Sequence, residues 1–229
     1  MGENPNIAML VTLLGEPSRA AILSYLLDGR YYTASELAYI AGIKPQTASF
    51  HLAKMIDSRL INLEKQGRHR YYHIHNHEVA QTIETLFAIS PPPVIKSLRQ
   101  ASTLKNLRHA RICYDHLAGQ LGVKLAESMV ANQLIVQKET EFVVTSSGEQ
   151  FFSEWGIDLL KLKKQRRAFS RTCLDWSERQ HHLAGALGHA IANHLIDLGW
   201  IVRTDKSRAI RVTDEGIMGF KKHFNLNLD

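Results

Sequence analysis

Two segments of the chain carry soft and titratable side chains at matching positions. The first, Arg111-Ile-Cys-Tyr-Asp-His-Leu-Ala-Gly-Gln-Leu-Gly122, holds Cys113, Asp115 and His116. The second reads Arg171-Thr-Cys-Leu-Asp and, after an insertion, His182-Leu-Ala-Gly-Ala-Leu-Gly188, and holds Cys173, Asp175, His181 and His182. A thiolate beside an imidazole is the donor set of soft transition-metal sites. Read on a regular helix, residues at i and i+2 point to different sides, so Cys113 and Asp115 could not both ligate one ion. A metal site would need Cys113 and Cys173 to meet across an interface between the two copies, with His116 and His182 as the other candidate ligands. A plainer reading makes each cysteine a small buried residue at a tight helix contact. It makes each aspartate a cap, or an ion-pair partner of Arg111, Arg171 or Arg179. No metal site is therefore assigned from these residues, and no cofactor is implied. Cys113 and His116 at i, i+3 could pair as nucleophile and base. No oxyanion hole or glycine-rich nucleophile turn accompanies them, so an enzyme is not expected.

A second set of polar residues suits a different chemistry. Gln46, Thr47, Ser49, Phe50 and His51 follow Lys44 and Pro45, with Lys54 one turn further on. Short polar side chains at the start of a helix can reach base edges in a major groove, where Gln pairs bidentately with adenine. Arg68, His69 and Arg70 follow Gly67, between two strand-like runs. Arginines at such a turn suit a phosphate backbone or a minor groove.

The elements that must position this second set are legible. Thr33-Ala-Ser-Glu-Leu-Ala-Tyr-Ile-Ala-Gly42 reads as a short helix and Gly42-Ile-Lys-Pro as a turn. Residues 45–60 read as a second helix, opened by Pro45, whose missing N–H would have no intrahelical partner there anyway. Leu37, Ala38, Ala41, Ile43, Ala48, Leu52, Met55 and Ile56 recur at helical spacing and can bury together. Ile61-Asn-Leu-Glu-Lys and Tyr71-Tyr-His-Ile-His read as two strands of a hairpin whose turn is Gln66-Gly-Arg-His-Arg70. Upstream, residues 7–24 read as one or two helices, broken near Gly15-Glu-Pro17. Downstream, residues 76–88 read as an amphipathic helix with Val79, Ile83, Leu86 and Phe87 on one side.

The order Leu13-Leu-Gly-Glu-Pro-Ser-Arg-Ala-Ala-Ile-Leu, Ser35-Glu-Leu-Ala, Ser49-Phe-His-Leu-Ala-Lys-Met and Gly67-Arg-His-Arg-Tyr-Tyr resembles the ArsR/SmtB family of winged-helix repressors. The likeness covers roughly the first 90 residues. It implies a homodimer that binds a palindromic operator in double-stranded DNA and releases it when an effector binds. It puts recognition-helix contacts at Gln46, Thr47, Ser49 and His51, wing contacts at Arg68, His69 and Arg70, and the dimer interface on the first helix and the helix after the wing. Two metal sites of the family do not carry over. The helix before the turn, Glu36-Leu-Ala-Tyr-Ile-Ala, has no cysteine, and the helix after the wing has no second histidine along its length. His73, His75 and His77 alternate at strand spacing, but no fourth ligand is visible, and they read as solvated residues at the wing's exit.

The second half repeats itself. The offset between copies is 60 residues at the cysteines (113 to 173), 66 at His-Leu-Ala-Gly (116 to 182) and 68 at Val-Thr-x-x-Gly (144 to 212). Growth at loops is what a duplicated unit shows. Each copy runs through a helix (123–133, 189–198), two short strands (134–138 with 142–145, 200–204 with 209–213) and a last helix with Thr145 or Thr213 placed to cap it. Helix, helix, hairpin, helix is a winged-helix-like order. The expected fold is mainly α with small β-hairpin wings (α+β): a winged helix-turn-helix at 1–90, a proline-containing linker at 91–103 around Pro91-Pro-Pro93, and winged-helix-like repeats at 104–160 and 161–229. A cleft between the repeats would suit a ligand; alternatively they form a platform that widens the dimer. Gly119, Gly122, Gly185 and Gly188 suit close helix packing. Trp155, Trp176 and Trp200, with Tyr114, read as core packing ahead of an apolar pocket. The basic run Lys161-Leu-Lys-Lys-Gln-Arg-Arg167 reads as a solvated face ahead of a phosphate contact.

Composition narrows the class. A net charge of +6 favours a polyanionic partner. Two cysteines make no disulfide scaffold and fit a reducing cytosol, so a cytoplasmic location is expected. No apolar run approaches a membrane span. Met1-Gly-Glu-Asn-Pro-Asn lacks the basic and apolar regions of a signal peptide, and Asn6 stands where a myristoylation motif needs Ser or Thr. The expected function is a sequence-specific DNA-binding regulator, a repressor responsive to a small-molecule or metal effector. One alternative is a metal-sensing (Cd/Zn/Pb-type) or thiol-redox-sensing repressor using Cys113 and Cys173. Another is a constitutive architectural DNA-binding protein.

Overall fold

The computed structural model describes residues 5–205 and 207–228. The leader reading at residues 1–4 lies outside them. The chain divides into two compact units, Met1–Ile83 and Glu84–Asp229. Among the described residues no single helix is long and apolar enough to cross a membrane.

In the first unit α1 (Ile7–Leu14) and α2 (Pro17–Leu26) meet at Gly15-Glu16. Glu16 caps α2, its carboxylate accepting from the Ser18 and Arg19 N–H groups at 3.1 and 2.8 Å. The buried Arg19 guanidinium donates to the Leu13 and Thr12 carbonyls at 2.6 and 2.9 Å, filling acceptors that α1 leaves open at its end. Helix α3 (Ala34–Ala41) starts with a capping box between Thr33 and Glu36. It ends at Gly42, whose φ of 65° turns the chain into α4 (Pro45–Asp57). Leu37, Ala38, Ala48, Leu52 and Met55 are buried together as the spacing predicts, with Ala41, Ile43 and Ile56 half-buried. Strands β1 (Ile61–Gln66) and β2 (His69–Ile74) pair antiparallel, Gln66 opposite His69, so the turn is only Gly67-Arg68. The hairpin is thus tighter than its sequence suggested, and His69 and Arg70 lie on the strand. Tyr32 adds a bridge to Tyr72.

Helix α5 (His77–Ile89) spans the division between the units. In the second unit α6 (Leu98–His109) begins inside the stretch expected to be a linker. The repeats follow. The first is β3 (Arg111–Cys113), β4 (His116–Ala118), α7 (Gly119–Ala131), β5 (Ile135–Gln137), β6 (Phe142–Val144) and α8 (Ser146–Glu154). After α9 (Leu159–Lys163) comes the second: β7 (Arg171–Leu174), β8 (His181–Ala184), α10 (Gly185–Asp197), β9 (Ile201–Arg203), β10 (Ile210–Val212) and α11 (Asp214–Phe224).

The opening segment of each copy, read from sequence as helix, is a β-hairpin. Tyr114, at φ 61°, makes the first reversal possible. The second set of strands and the caps stand where expected: Thr145 accepts from Gly148 N–H and Thr213 from Gly216 N–H, both at 3.0 Å. The helices exchange partners, α7 packing on β8 and α10 on β4. Gly122 and Gly188 seat each helix on its own hairpin, since a Cβ there would lie 2.6 Å from the Leu117 carbonyl oxygen and 2.5 Å from that of Leu183, and across the copies it would stand 3.7 Å from His182 Cβ and 3.4 Å from His116 Cβ. One hydrophobic core runs through both repeats. Trp155 and Trp200 stack in it with Phe220 and Phe224, and Trp176 lies under the Arg111 guanidinium at 4.5 Å. Trp155 and Trp200 are thus packing residues of this core.

Candidate functional site

The exposed face of α4 is mainly polar because Ala48, Leu52 and Met55 turn inward, with Phe50 the exposed exception. Lys44, Gln46, Thr47, Ser49, Phe50 and Lys54 are exposed, as a groove-reading helix requires. Ser49 Oγ donates to the Pro45 carbonyl at 3.0 Å, and Lys54 Nζ lies 4.3 Å over the Phe50 ring. In the hairpin Arg68, His69 and Arg70 are exposed, close to the turn where Gly67 takes a φ of 58°.

His51 departs from expectation. It is buried, with Nδ1 at 3.3 Å from the Arg19 guanidinium and Nε2 at 3.4 Å from the Glu16 carboxylate. The reason is positional: His51 is three residues after Ala48 and four before Met55, on the face that packs into the core. It joins α4 to the α1–α2 corner, its ring turned to Arg19 and Glu16. The wing-exit histidines also have local roles. His75 Nδ1 is 2.7 Å from Asn62 Oδ1, and His73 stacks on Tyr31 with ring centroids 4.6 Å apart.

A second constellation lies within the second unit. In the β3–β4 hairpin Cys113 stands directly opposite His116, and in β7–β8 Cys173 stands opposite His182. With β4 beside β8, the two cross-strand pairs converge, and one donor atom from each of the four residues lies within 4.8 Å of all the others. Cys113, His116 and His182 are buried and Cys173 is half-buried. Among the described residues this is the one group of three or more Cys, His, Asp or Glu side chains placed to hold a metal ion. The helical objection to Cys113 and Asp115 sharing an ion loses its premise, and the hairpin instead puts the directly opposed Cys113 and His116 on one face.

Each histidine is backed by the aspartate of its own repeat. His116 Nδ1 is 3.1 Å from Asp115 Oδ1. His182 Nδ1 is 3.3 Å from Asp175 Oδ2, within ion-pair reach but off hydrogen-bond alignment. Asp115 also accepts from Arg167 at 2.6 Å, and Asp175 from Arg111 at 2.9 Å and from the Gly119 N–H at 2.7 Å. Of the arginines expected beside the aspartates, Arg111 is therefore in place. Arg167, the last residue of the basic run, turns inward, while Lys163 pairs with Glu149.

Burial works to raise both carboxyl pKa values. The His116 and Arg167 interactions outweigh it at Asp115, and the His182 and Arg111 interactions outweigh it at Asp175, so both groups sit well below the usual carboxylate range. The neighbouring Cys173 sulfur, then burial, push the Cys113 thiol well above its ordinary value. Burial works to lower the His116 pKa, and the Cys113 sulfur and the Asp115 carboxylate outweigh it, so the imidazole titrates above its ordinary value.

The helix-turn-helix domain family matches residues 14–64, the span from the end of α1 through most of β1. The HTH-type transcriptional regulator YdfF of Bacillus subtilis (strain 168) is 51% identical over 225 residues, covering 98% of this chain and all of the relative. The HTH-type transcriptional regulator YgaV of Escherichia coli (strain K12) is 34% identical over 79 residues, 34% of this chain and 80% of the relative. Among solved structures, reduced HlyU of Vibrio cholerae N16961 aligns at 26% identity and a TM-score of 0.34, over 38% of this chain and 90% of that one.

Proposed function

The chain belongs to the HTH-type transcriptional regulators, DNA-binding proteins and not enzymes, and from that premise we propose that it is a homodimeric, sequence-specific repressor of the ArsR/SmtB type. The observation that carries this reading is the union of an exposed polar face on α4 with an exposed Arg68, His69 and Arg70 on the neighbouring hairpin. Gln46, Thr47 and Ser49 read base edges in a major groove, and Lys44, Lys54 and the wing arginines hold the backbone. Ile7 and Val11, one turn apart, leave α1 with an exposed apolar face that suits a second copy of the chain. Two half-sites follow from the two-fold symmetry of such a dimer.

The first unit is the reader, and the repeats of the second unit are the part that responds to an effector. An effector acts only by favouring one dimer geometry over another. One observation favours a metal ion or an oxidant in that role, the convergence of Cys113 and Cys173 with His116 and His182. The test is fluorescence anisotropy of the reduced, metal-free protein on its own upstream DNA, before and after added Zn(II) or Cd(II). Tight binding that metal reverses, and chelator restores, is the expected result. Binding indifferent to sequence would sink the repressor reading, and binding indifferent to metal would sink metal sensing.

A further inference from the structure

We propose that Cys113, His116, Cys173 and His182 form one closed, four-ligand site for a divalent cation of the zinc class, shared between the two repeats. The inference uses the residues of the metal-sensing reading, but it concerns coordination within the second unit and its test needs no DNA.

Three independent features carry it. The first is distance. Zinc bonds near 2.0–2.1 Å to nitrogen and 2.3 Å to sulfur set tetrahedral ligands roughly 3.3 Å apart for two nitrogens and roughly 3.8 Å for two sulfurs. The two histidine Nε2 atoms already stand 3.1 Å apart, and no pair among the four donors exceeds 4.8 Å. Closing the cage therefore needs about 1 Å at the widest pair.

The second feature is the lone-pair problem that an ion would solve. Nδ1 of each ring lies on the side of an aspartate, and where that nitrogen carries the only ring proton both Nε2 atoms are acceptors that face each other in a buried place. Two acceptors at that separation repel unless a cation or a proton lies between them. A carboxylate behind each ligating imidazole is also the usual outer support of a histidine–metal bond.

The third feature is the donor chemistry. Two thiolates and two imidazoles in tetrahedral reach suit zinc or cadmium, not magnesium or calcium, which take oxygen. Both nearby carboxylates are already committed to histidine and arginine. Four protein ligands leave no coordination position for water, so the site is a clamp and not a hydrolytic centre. The charge balances: the cation displaces one proton from each thiol to solvent, and two thiolates with two neutral imidazoles neutralise it. The clamp would join β3–β4 to β7–β8, two hairpins 60 residues apart at their cysteines (113 to 173).

The experiment uses the full reduced chain stripped with chelator. Co(II) is titrated as a spectroscopic probe and Zn(II) then displaces it. The expected result is one Co(II) per chain with the intense visible bands of a tetrahedral ion and a thiolate charge-transfer band, all abolished on adding one equivalent of Zn(II). C113S and C173S each weaken the charge-transfer band and lower affinity at least 100-fold. D115N, which keeps all four ligands, lowers affinity about 10- to 100-fold. Should the cysteine variants fail to fold, alkylation of the wild-type chain decides the matter: Zn(II) must protect both Cys113 and Cys173 from reagent, as mapped by mass spectrometry. Octahedral Co(II) spectra, a stoichiometry unchanged in the C113S/C173S double variant, or cysteines that react equally with and without Zn(II) would each overturn the site. So would a reduced chain that takes up no metal and instead closes a Cys113–Cys173 disulfide in air, which would leave a redox pair in its place.

Discussion

His116 and His182 present their Nε2 atoms to each other at 3.1 Å, each ring with its other nitrogen toward the aspartate that its own repeat supplies. The two residues are 66 apart in sequence (116 to 182), and they meet because α7 lies on β8 while α10 lies on β4. Neither repeat could hold the arrangement alone. Arg111 of the first repeat fixes Asp175 of the second, and Arg167 fixes Asp115. The two sets of elements thus share a four-residue cluster as well as one core.

In the proposed complex the wing arginines hold phosphate, so their removal reads out in salt. Replacing Arg68 and Arg70 together with Ala takes away two exposed cations. The slope of log affinity against log salt should fall by roughly 1.8, about 0.9 for each phosphate no longer neutralised. Anisotropy titrations at several salt concentrations measure it, and an unchanged slope would remove the wing from the interface.

Two variants in α4 separate folding from reading. His51→Ala removes the buried imidazole that both the Arg19 guanidinium and the Glu16 carboxylate contact, and should cost about 1–3 kcal/mol of stability. Gln46→Ala with Ser49→Ala touches only exposed side chains and should leave the melting temperature nearly unmoved, while discrimination between operator and random DNA falls by about 1–3 kcal/mol, the worth of one bidentate base pairing. Thermal melts and competition binding on both variants check the assignment. A His51→Ala protein that melts normally but loses operator preference would reverse it.

How much of this was legible depends on the range of the information. The reader unit was legible almost throughout because its signals are local: a capping box at Thr33, Gly42 at the turn, Pro45 at the first turn of α4, and apolar spacing along α4. Even the burial of His51 is written in that spacing, at three and four residues from Ala48 and Met55, but its polar type and its place near the helix start group it with the exposed residues. The repeat was legible as self-similarity. What sequence could not settle was the local form of 111–118. Three-residue strands carry too little periodicity to be told from a helix, and the helical reading set Cys113 and His116 one turn apart on a single element. Whether the two cysteines meet depends on the exchange of helices between copies, a tertiary fact with no local signal beyond the paired glycines at 122 and 188.

Glu84 makes the second unit acid-sensitive. It is buried against Arg208, whose backbone carbonyl accepts from the Ile112 N–H at 2.9 Å. Burial works to raise its pKa, but the Arg208 and Arg111 charges outweigh it and hold the group below the ordinary glutamate value of 4.5. A depressed carboxylate stabilises the fold fully above the unfolded-state value, and the contribution is lost as pH falls through the folded-state value. Stability should therefore drop below about pH 4.5. Glu84→Gln should remove that part of the acid slope and cost about 3–5 kcal/mol at neutral pH, because it strands the Arg208 charge. All three tryptophans, Trp155, Trp176 and Trp200, lie in the second unit, so their fluorescence in urea isolates it. A wild-type and variant pair with parallel acid profiles would refute the assignment.

Gly188 tests the packing that brings the histidines together. A Cβ there would stand 2.5 Å from the Leu183 carbonyl oxygen and 3.4 Å from His116 Cβ. The carbonyl belongs to backbone and cannot swing aside, so α10 must move off β8 and press on the His116 side chain. Gly188→Ala should cost about 1–3 kcal/mol, as overpacking does, and should weaken Co(II) binding by spreading His116 from His182. Gly199→Ala is the control. Gly199 has a φ of 69° and a Cβ there would meet nothing within 4 Å, so substitution adds backbone strain and no clash. It should cost about 1–2 kcal/mol with metal affinity unchanged. Matched melting temperatures with different Co(II) affinities would tie the helix–hairpin packing to the centre itself. Equal affinities in the two variants would show that the four side chains reach one another without it.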